Sequence, residues 1–173
     1  MSAYLVSPQH IVEIVKWAKC PQQGDLSHVY NQITKKEIEE LEALFPNADE
    51  DQKIKLLLVG TFEKELDPLK KETLQKIRNS PQIISVGYQE EVRPYFAIAS
   101  CFVFPSYREG FPNVVLEAAS MELPCIVSDI NGSNEIITDQ INGIIIPKKD
   151  TKALQKAMFS MKHDTKQRQL YTV

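Results

Sequence analysis

The sequence has no uninterrupted apolar run of about 18 residues, the length a membrane-spanning helix requires, so no segment is expected to cross a bilayer as a helix. No secretory leader is expected from its start. Met1 to Cys20 has no basic start, and His10 and Glu13 interrupt its apolar residues. Cysteine is scarce: Cys20, Cys101 and Cys125 are too few and too scattered for a disulfide framework or a zinc site. Cys101 and Cys125 each open an apolar run, which reads as small apolar residues on buried strands in a reducing compartment. Basic excess is missing as well. Twenty Lys and Arg against 23 Asp and Glu leave a net charge of -3, which argues against a nucleic-acid binder that works by neutralising phosphates. A small anion site built from backbone N–H groups stays compatible with that balance. There is no internal repeat and no low-complexity tract. The chain is expected to be cytoplasmic.

What is present is enough for a packed core. Of 173 residues, 43% are hydrophobic and 25% charged, which fits one domain of ordinary size, or one domain with an appendage. The character changes near Asp49–Asp51. Before that point the pattern reads as helical. Ile11, Val12, Ile14, Val15 and Ala18 recur at helical spacing. Cys20–Asp25 reads as a loop, and Thr34 or Asn31 caps a helix that Pro46 ends. The division is therefore a helical segment over 1–50 and an α/β domain over 51–173.

From residue 54 onward, short apolar runs alternate with helical segments. Strands are expected at Ile54–Val59, Ile83–Val86, Cys101–Phe104, Cys125–Ser128 and Gly143–Ile146. Helices are expected at Pro68–Asn79, Val92–Ala99, Asn113–Met121, Asn134–Thr138 and Thr151–Met161, the last capped by Thr151 or Asp150. This rhythm predicts βαβ units and a Rossmann-like parallel sheet with helices on both faces. Strands apolar throughout, such as LLLV and GIII, suit a sheet covered on both sides. The polar tail from His163 to Val173 is expected to fray. Ligands of such sheets sit at the strands' carboxyl ends, which directs attention to the loops after Val59, Val86, Phe104 and Ser128.

The loop after Phe104 carries the chemistry. Gly110 there is expected to take a backbone conformation other residues resist. Pro112 suits the start of a helix, where a missing N–H costs nothing. A helix beginning near Asn113 then aims free N–H groups at the sheet's carboxyl edge, a site for phosphate. Glu109 precedes the turn, and Glu117 is the one charged residue in the apolar run Val114–Ala119. Carboxylates can hold pairs of sugar hydroxyls, so the arrangement would suit a nucleotide sugar. On spacing alone, a plain strand-to-helix turn with a solvated Glu117 remains the competing reading.

This segment resembles the donor-site signature of retaining family-4 (group 1) GT-B glycosyltransferases, in which two glutamates eight positions apart bracket an apolar helix start, as Glu109 and Glu117 do. The similarity runs from about Lys53 to Asp150 and is nearest to bacterial transferases that build capsular and other surface polysaccharides. The resemblance implies that Glu117 binds ribose hydroxyls and that backbone around Gly110, Phe111, Pro112, Asn113 and Val114 receives the distal phosphate. Glu109 would contact the transferred sugar and is the candidate catalytic residue. The loops at Gly60–Phe62 and Gly87–Tyr88 would frame the base. The family needs no metal or other cofactor, and the sequence offers no DxD motif or His/Asp cluster for one. The implied partners are a nucleoside diphosphate sugar and a glycan or lipid-linked acceptor, the latter through an acceptor half or separate chain that could place the protein at the inner membrane face.

Two family features are missing from the sequence. The acceptor half is one. The other is the Arg and Lys pair in a GRL…KG context that neutralises the departing diphosphate. Lys16, Lys19, Lys35, Lys36 and Lys64 are candidate substitutes, though each reads better as a surface lysine. His10, His28 and His163 lie outside the resembling block and receive no role. This chain alone is therefore expected to lack turnover. A non-catalytic nucleotide-sugar-binding module and a fragment of a GT-B sugar-nucleotide epimerase are the alternatives.

Overall fold

The computed structural model describes residues 12–16, 55–62 and 69–171. The loop at Cys20–Asp25, the helix expected from Thr34 to Phe45, and Lys19, Lys35, Lys36, Lys64, His10 and His28 lie outside the described residues. Six strands form one sheet: β1 (Val12–Lys16), β2 (Lys55–Val59), β3 (Ile83–Gly87), β4 (Cys101–Phe104), β5 (Cys125–Ser128) and β6 (Gly143–Ile146). Their order across the sheet is β3-β2-β1-β4-β5-β6. β2 and β3 pair in parallel, as do β4, β5 and β6. β1 lies antiparallel to both β2 and β4, so β2 through β6 all point one way and β1 alone is reversed. The result is the Rossmann-like arrangement with one inverted central strand.

β1 corrects the helical reading of Val12–Val15. The residues are mostly β-branched, and their i, i+1, i+3, i+4 spacing fits a short buried strand as well as a helix. With χ1 stiff against a helical turn and partners available on both sides, the sheet wins.

Helices α1 (Lys71–Asn79), α2 (Arg93–Ala97), α3 (Asn113–Ser120), α4 (Ser133–Ile136), α5 (Thr151–His163) and α6 (Thr165–Leu170) complete the described chain. Side chains alternate across the sheet, and two apolar clusters result. Phe102, Phe104, Cys125 and Val127 pack with Phe96 of α2 and Val115 and Ala118 of α3 on one face. Cys101, Val103, Ile126 and Ile146 pack with Leu154, Ala157 and Met161 of α5 on the other. β4 and β5 are buried at every position, as the apolar runs Cys101–Phe104 and Cys125–Val127 require, and the polar Ser128 that ends β5 is buried with them. Asp150 caps α5, its carboxylate accepting from the N–H groups of Lys152 and Ala153 at 3.0 and 2.9 Å.

The tail is also corrected. Residues 165–170 form α6, whose cap is Asp164, rather than a fraying end. Arg168 is buried and its Nη1 donates to the Met161 carbonyl at 2.7 Å. Tyr171 is buried, with its hydroxyl 2.8 Å from Gln140 Oε1. Two long side chains that spend their polar atoms on backbone and amide partners anchor a segment whose composition is polar.

Cys101 and Cys125 are buried free thiols, and burial pushes the Cys125 thiol up to about 12. Burial keeps both thiols from reagent, and at Cys125 it also withholds the reactive thiolate at neutral pH. Iodoacetamide at pH near 8 is therefore expected to leave both unmodified in the native chain and to label both in denaturant, read per peptide by mass spectrometry. The Cys125 shift also has a stability consequence. The native state holds its proton more tightly than the unfolded state, so this contribution is intact below the ordinary thiol range and is lost as pH rises toward 12.

Candidate nucleotide-binding cleft

A cleft of about 670 Å³ opens where the strand order reverses, at the carboxyl ends of β2, β3 and β4. Val59, Gly60 and Thr61 line it after β2, Tyr88, Gln89, Glu90 and Val92 after β3, and Glu109, Phe111 and Pro112 after β4. Asn113, Val114 and Glu117 of α3 close it. Of the residues singled out from sequence, Glu109, Phe111, Pro112, Asn113, Val114, Glu117, Gly60 and Tyr88 thus come together in one cleft. Gly110 is not among its lining, and neither is any residue of the loop after Ser128.

The first two loops are joined directly. The Gly60 N–H donates to the Gly87 carbonyl at 2.7 Å, with φ of +129° and +72° at the two glycines. Both strands therefore end in a left-handed turn that only glycine makes cheaply, and Tyr88 emerges 70% exposed at the rim.

α3 begins without a side-chain cap. Its N-cap is Pro112, one position before the helical residues rather than inside them, with φ -80° and ψ 97°. The Val115 N–H reaches the Pro112 carbonyl at 3.0 Å, and the first turn carries no acidic residue. The amides of Asn113 and Val114 are thus the helix's outward donors, at the positive end of its dipole. Asn113 and Glu117 stand one turn apart on the cleft side.

The carboxylates are held differently. Glu109 is half-buried, and the buried Ser106 Oγ donates to its Oε1 at 2.8 Å. Ser106 was not singled out from the sequence. Its place three residues before Glu109 is the turn-forming spacing that would have pointed to it. Glu117 is exposed and within electrostatic range of Arg93. Arg93 itself is engaged by Glu91, whose carboxylate accepts from Nε at 2.8 Å and also pairs with Nη2. The hydrogen bonds from Arg93 hold the Glu91 carboxyl down at about 2.

Gly110 is corrected in its reason. It has no left-handed φ, and a Cβ there would meet nothing within 4 Å. Gly132, beyond β5, does take a left-handed φ, at +81°. Lys16, the one candidate cation among the described strands before β2, pairs in register with Lys55 at the end of β1. His163 ends α5 with its ring 4.1 Å from that of Phe159, outside the cleft. Three carboxylates, Glu90, Glu109 and Glu117, line the cleft, and no Lys or Arg among the described residues does. Among the described residues there is also no group of three or more His, Cys, Asp or Glu side chains placed to hold a metal ion. No described helix is long and apolar enough to cross a membrane.

A Rossmann-like sheet with its cleft at the strand-order reversal and an uncapped helix start between two glutamates has the architecture of one half of a GT-B fold. Residues 28–164 match the family described as Glycosyl transferases group 1, and the chain belongs to that family. Two relatives are bacterial. The capsular polysaccharide biosynthesis glycosyltransferase CapM of Staphylococcus aureus is 27% identical over 111 residues, which cover 64% of this chain and 29% of the relative. The UDP-Gal:alpha-D-GlcNAc-diphosphoundecaprenol alpha-1,3-galactosyltransferase of Escherichia coli is 32% identical over 83 residues, covering 48% of this chain and 21% of the relative. The chain thus spans under a third of either relative's length. Among solved structures, Anabaena HepE in complex with UDP-glucose superposes with a TM-score of 0.70 over 80% of this chain and 46% of that one, at 15% identity, a likeness of fold.

Proposed function

We propose that the cleft binds the donor of a retaining glycosyltransferase, a nucleoside diphosphate sugar, for polysaccharide assembly. The observation that carries this reading is the uncapped start of α3 facing the cleft with Glu109 and Glu117 on either side. The distal phosphate lies on the Asn113 and Val114 amides, where the helix dipole favours negative charge. Glu117 accepts from the ribose hydroxyls. The turns at Gly60 and Gly87 frame the base beside Tyr88. Glu109, oriented by Ser106, accepts from hydroxyls of a hexose-type sugar near its reacting carbon. In the transfer, the acceptor oxygen bonds the anomeric carbon on the face the diphosphate leaves, and the acceptor proton passes to the departing phosphate. The acceptor, a glycan or a lipid-linked glycan, is delivered by an acceptor half. No metal takes part.

A second reading has its own support. With three carboxylates and no basic side chain lining the cleft among the described residues, the departing diphosphate finds only the helix amides. In that reading this chain alone binds the donor without turning it over.

Amide resonances of the chain, followed as UDP or GDP is added in chelator-containing buffer, test the assignment. The largest shifts are expected at Phe111, Asn113 and Val114, with the parent nucleoside moving them much less. Equal perturbation by nucleoside and diphosphate would remove the phosphate from α3. Binding that required added Mg²⁺ would overturn metal independence.

A further inference from the structure

The phosphate-facing loop is shaped by a neighbour that never touches the cleft. Between β5 and α4 the chain makes a tight turn, and its last residue, Gly132, is buried against the backbone of 110–112. A methyl group at 132 would stand 2.3 Å from the Gly110 carbonyl oxygen, 2.8 Å from Pro112 Cδ and 3.0 Å from Phe111 Cα. Ordinary carbon–oxygen contacts begin at about 3.3 Å, so a Cβ here would have to displace the loop by roughly 1 Å. Two of the three contacts are main chain and the third is a proline ring, so none can swing aside. The φ of +81° at Gly132 adds a separate demand for glycine. The turn is braced from behind: the Gly132 N–H donates to Glu135 Oε1 at 3.3 Å, and Asn134 Nδ2 donates to Asp129 Oδ1 at 3.0 Å.

We propose that Gly132 is a positioning residue for donor binding: its bare Cα sets how closely the 110–112 backbone can seat, and through it the aim of the Asn113 and Val114 amides at the diphosphate. The inference rests on the donor-cleft reading but concerns a residue outside the cleft lining. Amides that must meet phosphate oxygens at hydrogen-bond distance tolerate little displacement, and a shift near 1 Å costs on the order of 100-fold where geometry is decisive.

Gly143 supplies a matched control. A methyl group there would lie 2.7 Å from the Cys125 carbonyl oxygen and 2.8 Å from Ile137 Cγ2, a comparable clash away from the loop. The full chain is prepared unaltered, as Gly132→Ala and as Gly143→Ala. Three quantities are read: thermal stability, the ligand-free amide resonances of Phe111, Asn113 and Val114, and affinity for whichever of UDP and GDP the unaltered chain binds more tightly. Gly132→Ala is expected to move those resonances and weaken the nucleotide by about tenfold or more. Gly143→Ala is expected to lose stability yet keep both readings within about twofold. Unmoved resonances in Gly132→Ala, or an equal loss of affinity in Gly143→Ala, would overturn the proposal. If the unaltered chain binds neither nucleotide, the donor-cleft reading fails by itself and the ligand-free resonances alone decide on Gly132. If Gly132→Ala does not fold, Glu135→Ala takes its place: the same resonances must move, and their constancy would overturn the proposal.

Discussion

Phe102→Ala is expected to cost about 3–5 kcal/mol of folding stability, the largest effect of any single truncation considered. Phe102 is fully buried at the middle of β4, the strand that joins the reversed β1 to the parallel run β5 and β6. It pairs with Ile14 on one side and Cys125 on the other. Its ring meets Phe96 edge-on at 5.4 Å and stacks on Phe104 at 5.8 Å, so truncation removes two aromatic contacts as well as the transfer term. Domains of this size hold a margin of roughly 5–15 kcal/mol, so the variant should unfold at markedly lower urea but still cooperatively. A midpoint within experimental error of the unaltered chain would mean that β4 is not the centre of this core.

Glu117→Ala carries the largest expected effect on binding. A hydrogen bond to a charged group is worth about 1.5–3 kcal/mol, which corresponds to roughly 10- to 150-fold in the dissociation constant of a nucleoside diphosphate. The side chain is exposed at the cleft, one turn from Asn113, and contributes nothing to the core, so stability should barely change. The change also removes a negative charge from beside the diphosphate and from the reach of Arg93, which favours the anion and works against the loss. Glu117→Gln separates the two effects. It removes the charge but keeps an acceptor, so its loss should fall well short of alanine's. Calorimetry on both variants checks this, and alanine binding as tightly as glutamate would end the ribose assignment.

Most of the α/β block is legible in the sequence alone, for a local reason. Cys101–Phe104 is apolar at every position and ends at Pro105, and Cys125–Val127 is an apolar run closed by the polar Ser128 and Asp129, so length and punctuation define both strands without tertiary information. The start of the last long helix was also plain, with Thr151 or Asp150 as its cap, and the structure gives that role to Asp150. The failures are those of context. Val12–Lys16 satisfies both periods over five residues, and only the gap between β2 and β4 decides for a strand. The end of the chain looked polar enough to fray because the burial of Arg168 and Tyr171 depends on partners at Met161 and Gln140.

The cleft divides the same way. Glu109 and Glu117 were visible because they share a loop and a helix with the uncapped start of α3. Gly132 was not, because its constraint comes from the carbonyl of a residue 22 positions earlier in the chain. Gly110 drew attention by position, although the open space around it shows that its own backbone is not what demands glycine.

The most direct test of the account is a calorimetric titration of the unaltered chain with UDP, GDP and their sugar conjugates. Saturable binding of one nucleotide at one site per chain, with the sugar conjugate held at least as well as the bare diphosphate, is the predicted result. No saturable binding by any of them would contradict it, and would leave a glycosyltransferase fold whose cleft does not hold a donor.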